Sequence, residues 1–239
     1  MADNAMVYDG ELAVSDFLKP PLVIVKVGPD AKEYHIHKEL LMYCSGFFRG
    51  ALSSEAFKSA QDGVIVLEDV ETPTFDAFTD WLYGQKFPQW EIWELWYTYP
   101  DRKHVTVFNM LILWYVFADR FLVPAMKKTI VHAATKKIGG QAPHYEYVDY
   151  AWANLPPNSP FLQLIVDFQA ECWTPGFDTN NGEEVQASTV PQEFFYRVMK
   201  RMGWKRDNGN ISAIRQCYEY DELERGGANE ASDEKSDQG

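Results

Sequence analysis

Basic residues are scarce in this chain: 22 Lys and Arg stand against 35 Asp and Glu in 239 residues, a formal charge of −13. A surface that acidic repels phosphate backbones, so no nucleic-acid partner is expected, and anionic membrane surfaces are disfavoured on the same ground. Long hydrophobic runs are missing as well. The longest strongly apolar stretch, Val107 to Ala118, falls short of the roughly 20 residues a membrane-spanning helix requires and contains Asn109. Cysteine is rare, and Cys44, Cys172 and Cys217 lie far apart. They form neither a disulfide framework nor a zinc spacing such as C-x₂-C. Met1 to Asp16 carries acids where a secretory signal needs a basic start and an apolar centre, so cytoplasm or nucleus is expected. Enzymatic signatures are also missing: no G-x-G-x-x-G, no G-x-x-x-x-G-K-[ST], no H-E-x-x-H and no G-x-S-x-G. The expectation is a protein without cofactor, metal or chemistry of its own.

What is present is an ordinary globular composition, 46% hydrophobic and 24% charged. Residues 1–19 read as an acidic arm closed by Pro20-Pro21. Leu22 to Val27 is a β-branched run ending at Gly28-Pro29-Asp30, and Ala31 to His37 continues as the second strand of a hairpin. From Lys38 the period changes. Leu40, Leu41, Cys44, Phe47 and Phe48 recur at helical spacing, in one helix or two short ones. Val64 to Leu67 reads as a buried strand. Thr72-Pro73-Thr74 then opens a helix with Phe75, Phe78, Trp81 and Leu82 inward and Gly84 at its end. Residues 87–104 form an irregular aromatic insertion, and Val105 to Ala118 resumes as a helix too uniformly apolar for a surface element. Pro124 opens the next helix, which places Met126, Ile130, Ala134 and Ile138 on one face.

Beyond residue 140, Tyr145 to Leu155, Phe161 to Cys172 and Pro191 to Met202 read as helices, the last two flanking a polar loop at Thr174 to Thr189. They form a helical extension, residues 141–218, expected to pack back on the preceding part. From Glu219 onward eight acids face two bases, and residues 219–239 are expected to be a disordered acidic tail.

Several runs together resemble the BTB (POZ) domain. Tyr34-His35-Ile36-His37-Lys38-Glu39-Leu40-Leu41 matches that family's apolar-x-x-His-Lys-x-x-Leu signature, and Ser45 with Phe47-Phe48 matches its Ser-x-Phe-Phe. Phe75-x-x-Phe78-x-x-Trp81-Leu82-Tyr83-Gly84 resembles its helix ending in Leu-Tyr, and Leu113-x-Tyr115-Val116-Phe117-Ala118-Asp119 with Val123-Pro124 its final helical pair. The aromatic insertion and the divergent carboxyl-terminal helices look like the BTB-containing proteins of filamentous fungi. The resemblance implies an α+β fold for residues 20–140: a small sheet capped by a helical cluster, with additional carboxyl-terminal helices. It also implies protein–protein interaction as an adaptor or scaffold, through self-association as a homodimer, recruitment to a cullin-based ubiquitin ligase, or both.

Two departures from the family bear on function. Pro21-Leu22 carries no acid where many members place an aspartate at their dimer interface. Phe57-Lys58-Ser59 keeps the apolar anchor of the family's cullin-binding triplet but has serine in place of its acid. An anchor aromatic alone can carry most contact energy, whereas the lost acid weakens complementarity to a basic partner. Phe57, Lys58 and Ser59 are therefore candidate partner-binding residues. Trp90, Trp93 and Trp96 are the others, since their three-residue spacing makes a stripe that either packs on a neighbour or offers a groove to a peptide or small molecule. Carboxylates at Glu91 and Glu94 leave an enzyme as a remote alternative. His37 and Phe47 read as structural: the imidazole to satisfy backbone groups where strand becomes helix, the ring as core. Cys44 reads as inert core. Arg197, Lys200, Arg201, Lys205 and Arg206 read as a solvated helix face or as a seat for the acidic tail or an acidic partner.

Overall fold

The computed structural model describes residues 14–53, 63–88, 90–93, 97–103, 105–137, 142–181, 187–209, 211–216 and 219–220. The chain divides into two compact units: residues 1–110 with 117–129, and residues 111–116 with 130–239.

Alternation builds the first unit. In β1 (Leu22–Val27) the side chains of Val23, Val25 and Val27 point inward and are almost fully buried, as a period of two demands of a half-covered sheet. β2 (Lys32–His37) returns antiparallel beside it, and β3 (Val64–Leu67) lies parallel on its other side, giving the order β2-β1-β3. The hairpin turn needs left-handed backbone at Gly28 (φ 75°). A Cβ there would stand 3.1 Å from Thr72 Oγ1, so glycine answers two demands at once.

Two short helices, α1 (Lys38–Cys44) and α2 (Gly46–Ser53), follow β2. Ser45 separates them. Its backbone is extended, its side chain is fully buried, and its hydroxyl accepts from the Phe48 amide (3.2 Å) while donating to the Phe121 carbonyl (2.7 Å). The serine of the Ser-x-Phe-Phe run is thus the N-cap of α2, and it ties that helix to a distant turn. α3 (Thr72–Gly84) starts with Pro73 in its first turn and buries Phe75, Phe78, Trp81 and Leu82. The left-handed residue that stops it is Gln85 (φ 51°) rather than Gly84. α4 (Val107–Arg120) is capped by Thr106, whose hydroxyl accepts from the Asn109 amide, and α5 (Pro124–Lys137) begins at its proline as expected.

α4 is buried from Phe108 to Ala118 and gives Leu111–Val116 to the second unit. That unit holds α6 (Tyr145–Asn154), α7 (Pro160–Cys172), α8 (Pro175–Asn181) and α9 (Gln192–Asp207). Tyr115 stacks flat on Phe161 at 3.9 Å, and Phe161, Leu164, Ile165, Phe168 and Phe194 are wholly buried. The second unit therefore has a core of its own. α8 occupies part of the stretch read from sequence as a polar loop; Pro175 opens it, but no apolar period announces it. No helix among the described residues is long and apolar enough to cross a membrane.

Candidate functional site

His37 sits where β2 becomes α1, but its ring makes no cap hydrogen bond, contrary to the sequence expectation. Nδ1 lies 2.9 Å from the Tyr83 hydroxyl, which also accepts from the His37 amide at 3.3 Å. The tyrosine, from the Leu-Tyr end of α3, supplies the backbone partner, and the imidazole orients that tyrosine. Both signature residues are structural.

Phe47 departs from expectation in the opposite direction. Phe48 is fully buried, whereas Phe47 is 39% exposed, its inner edge against Phe48 and Phe121 at 5.2 and 4.9 Å. The break at Ser45 rephases the helix, so a period continued through residue 48 assigns Phe47 wrongly to the core. Beside it the turn between α4 and α5 presents Leu122, 59% exposed and left-handed (φ 52°). The Gly46 amide donates to the Leu122 carbonyl at 3.0 Å, and a Cβ on Gly46 would come within 3.1 Å of Leu122 Cβ.

Next to these residues lies an open groove of about 560 Å³ with Tyr43, Arg49, Ser53, Leu122 and Lys127 among its walls. Arg49 spans α1 and α2: Nε donates to the Met42 carbonyl (3.0 Å) and a terminal nitrogen to that of Tyr43 (3.1 Å), satisfying the carboxyl end of α1. Lys127 is held by Asp119 at 2.9 Å. Cys44 also lines the groove, and burial pushes its thiol up to about 11 despite the Gln85 amide and Arg49, so it stays protonated and unreactive. Helix α2 ends at Ser53, and Phe57, Lys58 and Ser59 follow within residues 54–62, outside the described residues.

Of the tryptophan stripe, Trp93 is described in full. It is 2% exposed, donates from Nε1 to the Pro88 carbonyl (3.1 Å) and meets Phe87 edge-on at 5.6 Å. The side chains of Trp90 and Trp96 lie outside the described residues. Among the described residues, side chains tie the insertion to α3 and its N-cap: Tyr97 donates to Asp80 (2.6 Å), Tyr99 meets Thr74 (3.1 Å), and Arg102 pairs with Glu71 (2.8 Å). A second hollow, about 360 Å³, lies among Tyr34, Asp76, Thr79, Asp80 and Tyr97. Its carboxylates are already engaged: Asp76 by Lys32 (2.8 Å) and Tyr34 (2.7 Å), Asp80 by Tyr97. Glu91 is exposed, and Glu94 lies outside the described residues. No group of three His, Cys, Asp or Glu poised for a metal occurs among the described residues.

In the second unit the structure divides the basic cluster read as a solvated face: Lys200 and Arg206 are exposed, whereas the other three bases are engaged by α7. Arg201 pairs with wholly buried Asp167 at 3.0 Å, Lys205 with Glu171 at 3.1 Å, and Arg197 donates to Gln163 at 2.9 Å. Asp167 also accepts from Gln163 (2.7 Å) and the Tyr220 hydroxyl (2.8 Å), and Arg215 stands 3.4 Å away. Burial holds its carboxyl above the ordinary range, with Tyr220 and Arg201 pulling the other way. Ala213 donates to Glu171 (2.7 Å), and its carbonyl accepts from Arg201. A lone acid in the apolar run Phe161–Ala170 is the one sequence signal of this network.

Comparison with known proteins matches residues 22–93 to the BTB/POZ domain family. No curated protein matches the chain. The matched stretch holds the hairpin, both short helices, β3, α3 and the start of the aromatic insertion. The three-stranded mixed sheet with its helices is the α+β arrangement the resemblance implied. Residues 22–93 are accordingly a BTB/POZ domain, a protein–protein interaction module.

Proposed function

We propose that the protein is an adaptor whose BTB domain recruits a protein partner through the groove beside α2, and that the partner is a cullin-type scaffold of a ubiquitin ligase. The observation that carries this is the pair Phe47 and Leu122, two large apolar side chains held out to solvent at 39% and 59% exposure on rigidly tied backbone. Exposed aromatic and aliphatic side chains flanking a groove are the usual centre of an interface. The chain passes from this groove directly into the segment bearing Phe57, Lys58 and Ser59, which places the apolar anchor and the groove in continuous sequence. Ser59 in place of an acid favours a partner surface less basic than that met by acid-bearing members.

The test is capture of cullins by the purified full chain, beside an established BTB adaptor. Binding that falls tenfold or more on Leu122→Arg or Phe57→Ala, with unfolding unchanged, supports the proposal. No cullin captured where the control captures one overturns it.

Self-association is a second reading with its own observation. The outer face of the sheet, normally polar, carries Leu22 at 49% and Val66 at 54% exposure, with half-buried Ile24 and Val64 between them. Light scattering that gives a monomer at high micromolar concentration removes this reading.

A further inference from the structure

Helix α9 has two unlike faces. Phe194, Val198, Arg201 and Lys205, at i, i+4, i+7 and i+11, turn towards α7 and are buried or ion-paired there. The opposite face carries Tyr196, Met199, Lys200 and Gly203, at i, i+3, i+4 and i+7. Tyr196 is 58% and Met199 68% exposed, and Trp204 at the margin is 37% exposed. Lys200 lies over the Tyr196 ring at 5.4 Å and Arg201 over the Trp204 ring at 4.2 Å. An exposed helix face bearing a methionine and two aromatics among cations is an adaptable docking surface. Of its five bases, Arg197, Arg201 and Lys205 are engaged by α7, which leaves Lys200 and Arg206 exposed to meet acids, in a chain whose net charge is −13.

We propose that the outer face of α9 is the docking site of the chain's own acidic segment, residues 221–239, which therefore competes with any acidic partner for that face. Three observations select this occupant. The first is where the described chain leads: Tyr220 is fixed by its hydroxyl to Asp167, the same carboxylate that holds Arg201 of α9, so the segment leaves from beside the helix. The second is length. Nineteen residues reach up to about 60 Å, against the ~24 Å span of a 16-residue helix, so wrapping to the outer face is easy. The third is charge: the segment holds seven acids and two bases, net −5, with Leu223 as an apolar contact for Tyr196 or Met199. Tethering adds a local concentration in the millimolar range, so individually weak, salt-screened pairs suffice.

The experiment labels the seven methionine methyls of the full chain with carbon-13 and assigns Met199 by Met199→Leu. The native chain is compared with a full-length chain whose seven acids after Tyr220 are changed to their amides. At low salt the Met199 signal is expected to differ between the two and to shift in the native chain to the amide chain's position on raising salt to about 0.5 M. Adding a synthetic 221–239 peptide at millimolar concentration to the amide chain restores the native position, and Lys200→Glu in the native chain abolishes it. A Met199 signal identical in both chains at low salt overturns the proposal. So does a difference that survives 0.5 M salt, or one that the peptide fails to restore.

Discussion

Replacing Asp167 by alanine tests the physical account of the second unit. The carboxylate has no exposure and is the common partner of Arg201, Gln163 and Tyr220 at 3.0, 2.7 and 2.8 Å. Removing it strands the Arg201 guanidinium, whose side chain is only 13% exposed, and breaking a buried pair from one side costs about 3–5 kcal/mol. Arg215, at 28% exposure, turns to water and adds little. The Tyr220 hydroxyl keeps the Arg215 amide as donor but loses its own acceptor, which adds about 1 kcal/mol, less than additively because it shares the network. The expected loss is thus about 3–5 kcal/mol, read by urea unfolding together with amide exchange of α7 and α9, which isolates the unit concerned. The double change Asp167→Leu with Arg201→Met is expected to recover most of it, because an apolar pair of similar volume leaves no buried charge alone. An Asp167→Ala chain within about 1 kcal/mol of native would refute the reasoning, as would a double variant as damaged as the single.

Other outcomes follow from the first unit. Trp93→Ala is expected to cost about 3–5 kcal/mol of stability with partner affinity per folded molecule unchanged; a lost affinity at native stability would make Trp93 a contact residue instead. Tyr83→Phe removes the hydroxyl shared by the His37 ring and amide and should cost about 1–2 kcal/mol by thermal unfolding. Gly46→Ala drives a methyl to 3.1 Å from Leu122 Cβ, so a loss of about 1–2 kcal/mol is expected, with weaker partner capture because the exposed leucine moves. With its thiol near 11 rather than 9, Cys44 should alkylate at pH 8 about a hundredfold more slowly than an unperturbed thiol, the rate rising until pH passes about 11; peptide mapping by mass spectrometry reads this residue alone.

The sequence makes the frame of the BTB domain legible because its signals are local. β-branched alternation marks β1, and prolines mark the starts of α3 and α5. It misses whatever depends on distance in sequence. Phe47 looks like core because helical spacing carries through Ser45, whose hydrogen bond to Phe121 across 76 positions holds the break after which the helix restarts. The hydroxyl of Tyr83 serving His37 spans 46 positions. Asp167 meets Tyr220 across 53, so an acid in an apolar helix looks like an isolated anomaly and the arginines of α9 like solvent-facing charge. The candidate docking residues divide the same way. Trp93 is buried, while Leu122, exposed on a left-handed turn between two helices, carries no composition signal at all.

Helix α4 hands its middle, Leu111–Val116, to the second compact unit while its two ends belong to the first. A fragment trimmed after α5 would keep Trp114 and Tyr115, both nearly sealed from water in the intact chain, but lose Phe161, on which Tyr115 lies flat. Such a fragment would carry a greasy strip along one helix and tend to clump.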